Sequence, residues 1–297
     1  MILKTSLFLL TSFFYFFMLV NAKEILKKAY ENKKVVFHIN INNLEWTKQV
    51  LLAANDSNKP IILGVSPSAA KYFGGYNVCY AVVTSLIKDL NITTDVCLHL
   101  DHGSYEDCLK ALEANFTSLM FDGSKMPFEK NLELSKKVLQ LCKEKNVSLE
   151  CETGRIGGIE DKIVCEVVYT KISEAVAFKE IGIDMLAIGI GNIHGEYPSD
   201  WKGINFNLLK EINDAVKMPL VLHGGSGINE EDIRKCISYG ITKININTEL
   251  QIENARAINE FIINNNIMKD KNYNPRKLYK KANEALYNKA KELLNKF

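Results

Sequence analysis

Histidine, proline and net charge are all scarce in this chain. Its 297 residues include 5 histidines and 6 prolines, and 37 basic against 35 acidic side chains leave a formal charge of only +2. So small an excess excludes nucleic acid or an anionic membrane as the main partner. The few prolines form neither a collagen-like repeat nor a linker that would divide the chain. The seven cysteines (79, 97, 108, 142, 151, 165 and 236) are odd in number and lack paired spacing, which excludes a disulfide scaffold. Cys97 and Cys151 lie inside apolar runs and read as small core residues, which suits a reducing compartment. What is present, 47% hydrophobic and 24% charged residues, is the composition of a globular protein. The length fits one large α/β barrel or two ordinary domains.

Residues 1–22 differ from the rest. Lys4 precedes an apolar run that ends in Val20-Asn21-Ala22, the three parts of a secretory signal. The run is short for a membrane span, which needs about 20 apolar residues. The alternative is a true start at Met18, with 1–17 an apolar extension and 18–297 one domain. Four Asn-x-Ser/Thr sequons, at Asn55, Asn91, Asn115 and Asn146, need no glycosylation in so Asn-rich a chain. Together with the unpaired thiols they favour a cytoplasmic protein over a secreted or anchored one.

From residue 35 onward, short β-branched apolar runs alternate with stretches of helical spacing. The runs cover 35–41, 60–66, 95–101, 118–122, 147–152, 185–193, 219–222 and 242–246, eight in all. Near-continuous apolar strands separated by helices predict a parallel sheet covered on both faces. Eight such units predict an α/β fold of the (β/α)8 TIM-barrel type, with 275–297 as a last helix outside the barrel. Two stretches without a period, 155–170 and 196–205, follow strand ends and are expected to form the site or a lid over it.

The histidines are His38, His99, His102, His194 and His223. His102, His194 and His223 each precede a glycine at the end of an expected strand, so they should converge at one barrel mouth. Three imidazoles with an open fourth position are the ligand set of a catalytic zinc. The alternative is three separate core histidines. His99 reads as a hydrogen-bonded core residue and His38 as packing. Successive strand residues point apart, so Asp101 is expected to carry protons while His102 binds metal. Glu152, on the same face as Glu150, reads as a further ligand, a supporting group or half of a salt bridge.

His223-Gly224-Gly225-Ser226-Gly227 offers backbone N–H groups and a hydroxyl to an anion. Asn245-Ile246-Asn247-Thr248 follows the last strand, with Asn247 or Thr248 expected to cap the next helix. Loops after strands seven and eight bind phosphate in many barrels. The same loops also read as plain turns and caps. Asn40 and Ser66, at the ends of the first two strands, suit a polyol. Gly157-Gly158 suggests a mobile lid, with Glu160 just beyond it.

These residues resemble the class II, zinc-dependent fructose-bisphosphate aldolases, the group that includes tagatose-bisphosphate aldolases. The resemblance lies in NINNLEW at 40–46, HLDHG at 99–103, ECETG at 150–154, GNIHGEY at 191–197, LHGGSG at 222–227, KININTE at 243–249 and NPRK at 274–277. It implies zinc on His102, His194 and His223, with Glu152 as an additional contact. Asp101 would move the proton of the C4 hydroxyl, and Glu160 would exchange a proton on dihydroxyacetone phosphate. Gly195, Gly224, Gly225, Ser226, Asn247 and Thr248 would surround one phosphate and a monovalent cation (Na+ or K+). Asn40 and Asn245 would contact substrate. Arg276, from a neighbouring subunit of a homodimer or homotetramer, would meet the second phosphate. No lysine Schiff base is implied, and Lys243, at the start of the last strand, is expected away from the mouth.

Glu196 and Pro198 stand where fructose-specific members often carry a lysine, Gln251 where some carry arginine, Ile39 for the typical Phe and Thr153 for Leu. Tagatose 1,6-bisphosphate or another ketose bisphosphate is therefore the alternative substrate. A secreted, non-catalytic binding protein is the alternative of another class.

Overall fold

A computed structural model describes residues 19–160 and 163–297, with the side chains of 159–165 outside the description. The apolar extension over 1–17 lies outside the described residues, as do the side chains of Glu160 and Cys165.

Among the described residues eleven strands follow in chain order: β1 Val36–Asn40, β2 Ile61–Val65, β3 Val96–Gly103, β4 Ser118–Phe121, β5 Ser148–Thr153, β6 Gly157–Glu160, β7 Ile163–Cys165, β8 Met185–Ile188, β9 Ile193–His194, β10 Leu220–Leu222 and β11 Ile241–Ile246. Eight close into a barrel in the order β1-β11-β10-β8-β5-β4-β3-β2. Every pair in the barrel is parallel. The chain is a (β/α)8 barrel. Its strands are buried on both faces, which is why they read as unbroken apolar runs rather than as alternation.

Local signals place the outer helices. Asn43 caps the helix Leu44–Asp56 by accepting from the Trp46 N–H. Ser104 and Asp107 form a capping box at the start of Tyr105–Glu113. The C-terminal segment is a short helix, Pro275–Leu278, followed by a longer one, Lys280–Lys296. No helix among the described residues is long and apolar enough to cross a membrane.

The described residues form two cores. The larger lies between strands and helices. The smaller fills the bottom of the barrel with Val36, Ile62, Cys97, Met120, Met185, Ala187 and Val221, and the helix Ala22–Glu31 closes it with Ala22, Ile25, Leu26 and Ala29. Residues 20–22 belong to this plug. The Val20 N–H donates to Val96 O at 2.9 Å, the Asn21 side chain caps the helix, and the Ala22 N–H donates to Ser148 Oγ at 3.0 Å.

The run 185–193 is not one strand. β8 ends at Ile188, and the next residue is tied to Thr170 as well as to β5. The Gly189 N–H donates to Thr153 O at 3.3 Å and Thr170 Oγ1 at 2.9 Å, and its carbonyl accepts from the Thr170 N–H. The chain resumes as β9, which joins β6 and β7 in a separate three-stranded sheet. Most of the aperiodic stretch 155–170 is therefore a β-hairpin, β6–β7, seated against the strand that carries His194.

Candidate active site

The expected divergence of Asp101 and His102 does not occur. The pairing of β3 with β4 slips between Leu100 and Gly103, and His102 takes a left-handed backbone at φ 51°. That conformation is strained for a residue with a side chain, at about 1–2 kcal/mol. It turns both side chains toward the C-terminal mouth of the barrel.

There the three histidines meet. His102 Nε2 lies 3.0 Å from His223 Nδ1, and His194 Nε2 lies 3.4 Å from the same atom. One ring nitrogen from each fits within a 4.8 Å cluster. Nitrogens bound at roughly 2.0–2.1 Å to a tetrahedral zinc stand about 3.3 Å apart, so the donor set fits that ion. The opposite nitrogens are oriented from behind. His102 Nδ1 meets Asp122 Oδ2 at 2.9 Å, and His223 Nε2 meets Glu150 Oε1 at 2.9 Å. A carboxylate only accepts, so each of these nitrogens carries a hydrogen, and a neutral ring then turns its lone pair toward the centre.

The electrostatics agree with a cation at the centre. Burial pulls His102 down, but the hydrogen bond to Asp122 and the charges of Asp101, Asp122 and Glu152 hold it well above its ordinary value. Burial first, then the positive charge on His102, pushes His194 and His223 well below theirs. Burial, then the charge on Asp122, raises the Glu152 carboxyl to about 8. Its Oε2 is buried with no hydrogen-bond partner, 3.9 Å from His102 Nδ1. Glu152 thus sits behind His102 with Asp122, in a second cluster built on the other ring nitrogen.

Asp101 is 2% exposed, and its two oxygens accept from Asn40 Nδ2 at 2.8 Å and Asn245 Nδ2 at 3.4 Å. Burial works to raise this carboxyl, but His102, His223, Lys243 and the Asn40 bond outweigh it and keep it ionised. Asn245 Oδ1 and Asn247 Oδ1 are buried without hydrogen-bond partners.

A cavity of about 360 Å³ opens over these groups, lined by Asn40, Asp101, His194, Gly195, Glu196, His223, Gly224, Ser226, Asn245, Asn247, Thr248 and Gln251. Its glycine loop is needed for close packing. A Cβ on Gly224, at φ +64°, would lie 1.8 Å from Ile193 O. Gly158 is equally constrained, since its Cβ would lie 2.0 Å from His194 O. Gly157 and Gly158 thus seat β6 against the histidine strand. Tyr197 ties the same strand to the glycine loop, accepting from the Ile193 N–H at 3.2 Å and donating to Gly224 O at 2.8 Å.

The helix Thr248–Asn264 is not capped by the side chain of Asn247. Ser226, across the mouth, accepts from the N–H groups of Asn247 and Glu249 at 3.3 and 3.5 Å. Gly225 N–H donates to Asn245 O at 2.9 Å, joining the two loops. Ser66 caps the helix Pro67–Phe73, accepting from Ala69 N at 3.3 Å, and does not line the cavity. Arg276 is exposed in the Pro275–Leu278 helix, outside the cavity. The Glu160 side chain lies outside the described residues.

Sequence reasoning missed Asp122 and Glu150 as partners of the histidines, and it gave no role to Lys243, which lies away from the mouth as expected. That lysine is fully buried inside the barrel, with Nζ 2.7 Å from Glu150 Oε2. An inward-facing glutamate and lysine in otherwise apolar barrel strands were the available signal.

A parallel barrel with three imidazoles converging at its C-terminal mouth is the design of a metal-dependent barrel enzyme. Comparison with known proteins narrows the class. Residues 20–297 match the family described as "Fructose-bisphosphate aldolase class-II". The fructose-bisphosphate aldolase of Ureaplasma parvum is 51% identical over 280 residues, 94% of this chain and 97% of its own length. That of Streptococcus pyogenes is 45% identical over 247 residues, covering 83% and 84%. The crystal structure of the YdjI aldolase from Escherichia coli K12 superposes with a TM-score of 0.79 at 29% identity, covering 94% of this chain and 97% of that one. The chain belongs to the class II fructose-bisphosphate aldolase family, whose members are zinc-dependent lyases.

Proposed function

We propose that this enzyme cleaves and re-forms fructose 1,6-bisphosphate, giving dihydroxyacetone phosphate and glyceraldehyde 3-phosphate in glycolysis, with zinc held by His102, His194 and His223. The observation that carries the reading is the convergence of three imidazole nitrogens, at 3.0 and 3.4 Å, beside a buried aspartate. The names of the similar enzymes support fructose over tagatose as the sugar.

Zinc, when bound, supplies Lewis acidity to the ketose carbonyl. Asp101, aimed by Asn40 and Asn245, takes the C4 hydroxyl proton as the C3–C4 bond breaks. Gly195, Gly224, Gly225, Ser226, Asn247 and Thr248 cradle one phosphate with backbone donors and the start of the Thr248–Asn264 helix. The unpartnered Asn247 Oδ1 suits a monovalent cation (Na+ or K+) beside that phosphate. Glu152, behind His102 with Asp122, would supply an additional zinc contact, Glu160 exchanges the carbon-bound proton, and Ser66 contributes from just beyond β2. Arg276, outside the cavity, reaches the second phosphate only from another copy of the chain, in a homodimer or homotetramer. The unpaired, buried thiols favour the cytoplasm.

The test is cleavage of fructose and tagatose 1,6-bisphosphates before and after chelation. Activity on the fructose substrate that is lost with EDTA and restored by zinc supports the reading. Activity that survives EDTA and is trapped by borohydride overturns it in favour of a Schiff base, and faster cleavage of the tagatose substrate overturns the sugar assignment.

A further inference from the structure

Beneath the mouth, the barrel interior carries charge where branched apolar side chains are usual. His99, Glu150 and Lys243 project into it from β3, β5 and β11, and all three are fully buried. Lys243 Nζ lies 2.7 Å from Glu150 Oε2, while Glu150 Oε1 accepts from His223 Nε2 at 2.9 Å. His99 steadies the pair from the side, with Nε2 3.5 Å from Lys243 Nζ and 3.6 Å from Glu150 Oε2, and its Nδ1 is 2.7 Å from Ser118 Oγ. The glutamate is therefore bridged by its two oxygens between a lysine and one of the three converging imidazoles.

We propose that Lys243 is a positioning residue for the metal site, acting through Glu150 on His223. The inference rests on the reading of His102, His194 and His223 as zinc ligands and extends it one layer inward. A buried glutamate left without a partner on Oε2 would turn toward other groups. Lys243, 2.7 Å from Oε2, fixes the plane of the carboxyl and aims Oε1 at His223 Nε2. That fixes the hydrogen on His223 Nε2, directs the Nδ1 lone pair toward His102 and His194, and makes the imidazole a stronger donor. Lys243 never reaches the cavity, so its contribution passes through the two hydrogen-bonded groups above it. A plain structural ion pair would support the barrel without affecting the state of His223.

Three measurements separate these cases. The first is the imidazole nitrogen spectrum of the metal-free wild-type protein. His223 protonated on Nε2 is expected, and His223 protonated on Nδ1 overturns the proposal. The second is zinc affinity by chelator competition for Lys243→Met, which keeps much of the side-chain volume and removes the charge. The third is the same affinity for Lys243→Met/Glu150→Gln, which leaves no unpaired buried charge and so keeps the fold if the single variant loses it. Zinc binding about 10- to 100-fold weaker, with KM little changed at saturating zinc, is expected in any variant that folds. A folded double variant that binds zinc within about twofold of wild type, with the His223 spectrum unchanged, overturns the proposal. Failure of the underlying reading looks different: His223→Ala would then leave zinc affinity unaltered.

Discussion

The amide of Asn40 donates to Asp101 Oδ2 at 2.8 Å, joining the ends of β1 and β3 across β2. The bond aims the carboxylate, whose other oxygen has only the longer 3.4 Å bond from Asn245 Nδ2. Asn40→Ala should lower kcat roughly 10- to 100-fold by misplacing Asp101. Asp101→Ala should lower it roughly 10²- to 10⁴-fold. Both variants should keep their zinc, because neither residue is one of the three imidazoles. Steady-state kinetics with metal analysis on the same samples checks this, and zinc loss in Asn40→Ala would make the asparagine a support of the metal rather than of the base.

Ser226 serves two structural elements with one hydroxyl. It sits in the glycine loop after β10 and accepts from the backbone of the helix that follows β11. Ser226→Ala should remove a cap worth about 1 kcal/mol and loosen the loop against the helix. The expected result is a modest drop in urea stability with a clear rise in KM. Ser226→Thr should restore stability, since it keeps the hydroxyl.

The start of the domain can be placed by truncation. A chain beginning at Met18 should keep wild-type stability and activity. A chain beginning at Lys23 loses the Val20 bond to β3, the Asn21 cap and the buried Ala22. It should be less stable by about 2 kcal/mol or more. Urea denaturation of the two truncations decides it, and equal midpoints would show that residues 18–22 contribute nothing.

The described thiols should be inert in the folded state. Burial pushes Cys79, Cys97, Cys142 and Cys236 up to about 12. Relative to an ordinary thiol, a shift of that size cuts the thiolate present at pH 8 by roughly a thousandfold. Alkylation at these positions should proceed at the rate of unfolding and accelerate sharply in urea. Peptide mapping after iodoacetamide treatment provides the check, and fast native labelling at any of the four would contradict their burial.

Much of the architecture was legible before any coordinates. Each of the eight barrel strands overlaps one of the eight apolar runs, because burial on both faces demands continuous hydrophobicity that a sequence displays directly. The histidine–glycine pairs were legible for a similar reason, since each marks a strand end. Three features were not. The run 185–193 looks continuous, yet Gly189 pairs with Thr170 and the strand ends at Ile188. The bulge at His102 overrides the alternation that sent Asp101 and His102 apart. Asn247 stands at a cap position, but a hydroxyl 21 residues earlier in the chain takes the role.

The sequence by itself determined the barrel, the catalytic chemistry available to it and the mouth where that chemistry would gather, because periodicity and strand ends are local properties. Only the tertiary structure decided which nitrogen of each oriented histidine faces the shared centre. That choice depends on Asp122 for His102, and on Glu150 with Lys243 for His223. Asp122 and Glu150 lie 20 and 73 residues from their histidines and Lys243 lies 93 from Glu150, so they meet only when the barrel closes. Hydrogen bonds between side chains on different strands leave no periodic trace in a sequence, so the groups that orient a site are the last part of it to be read.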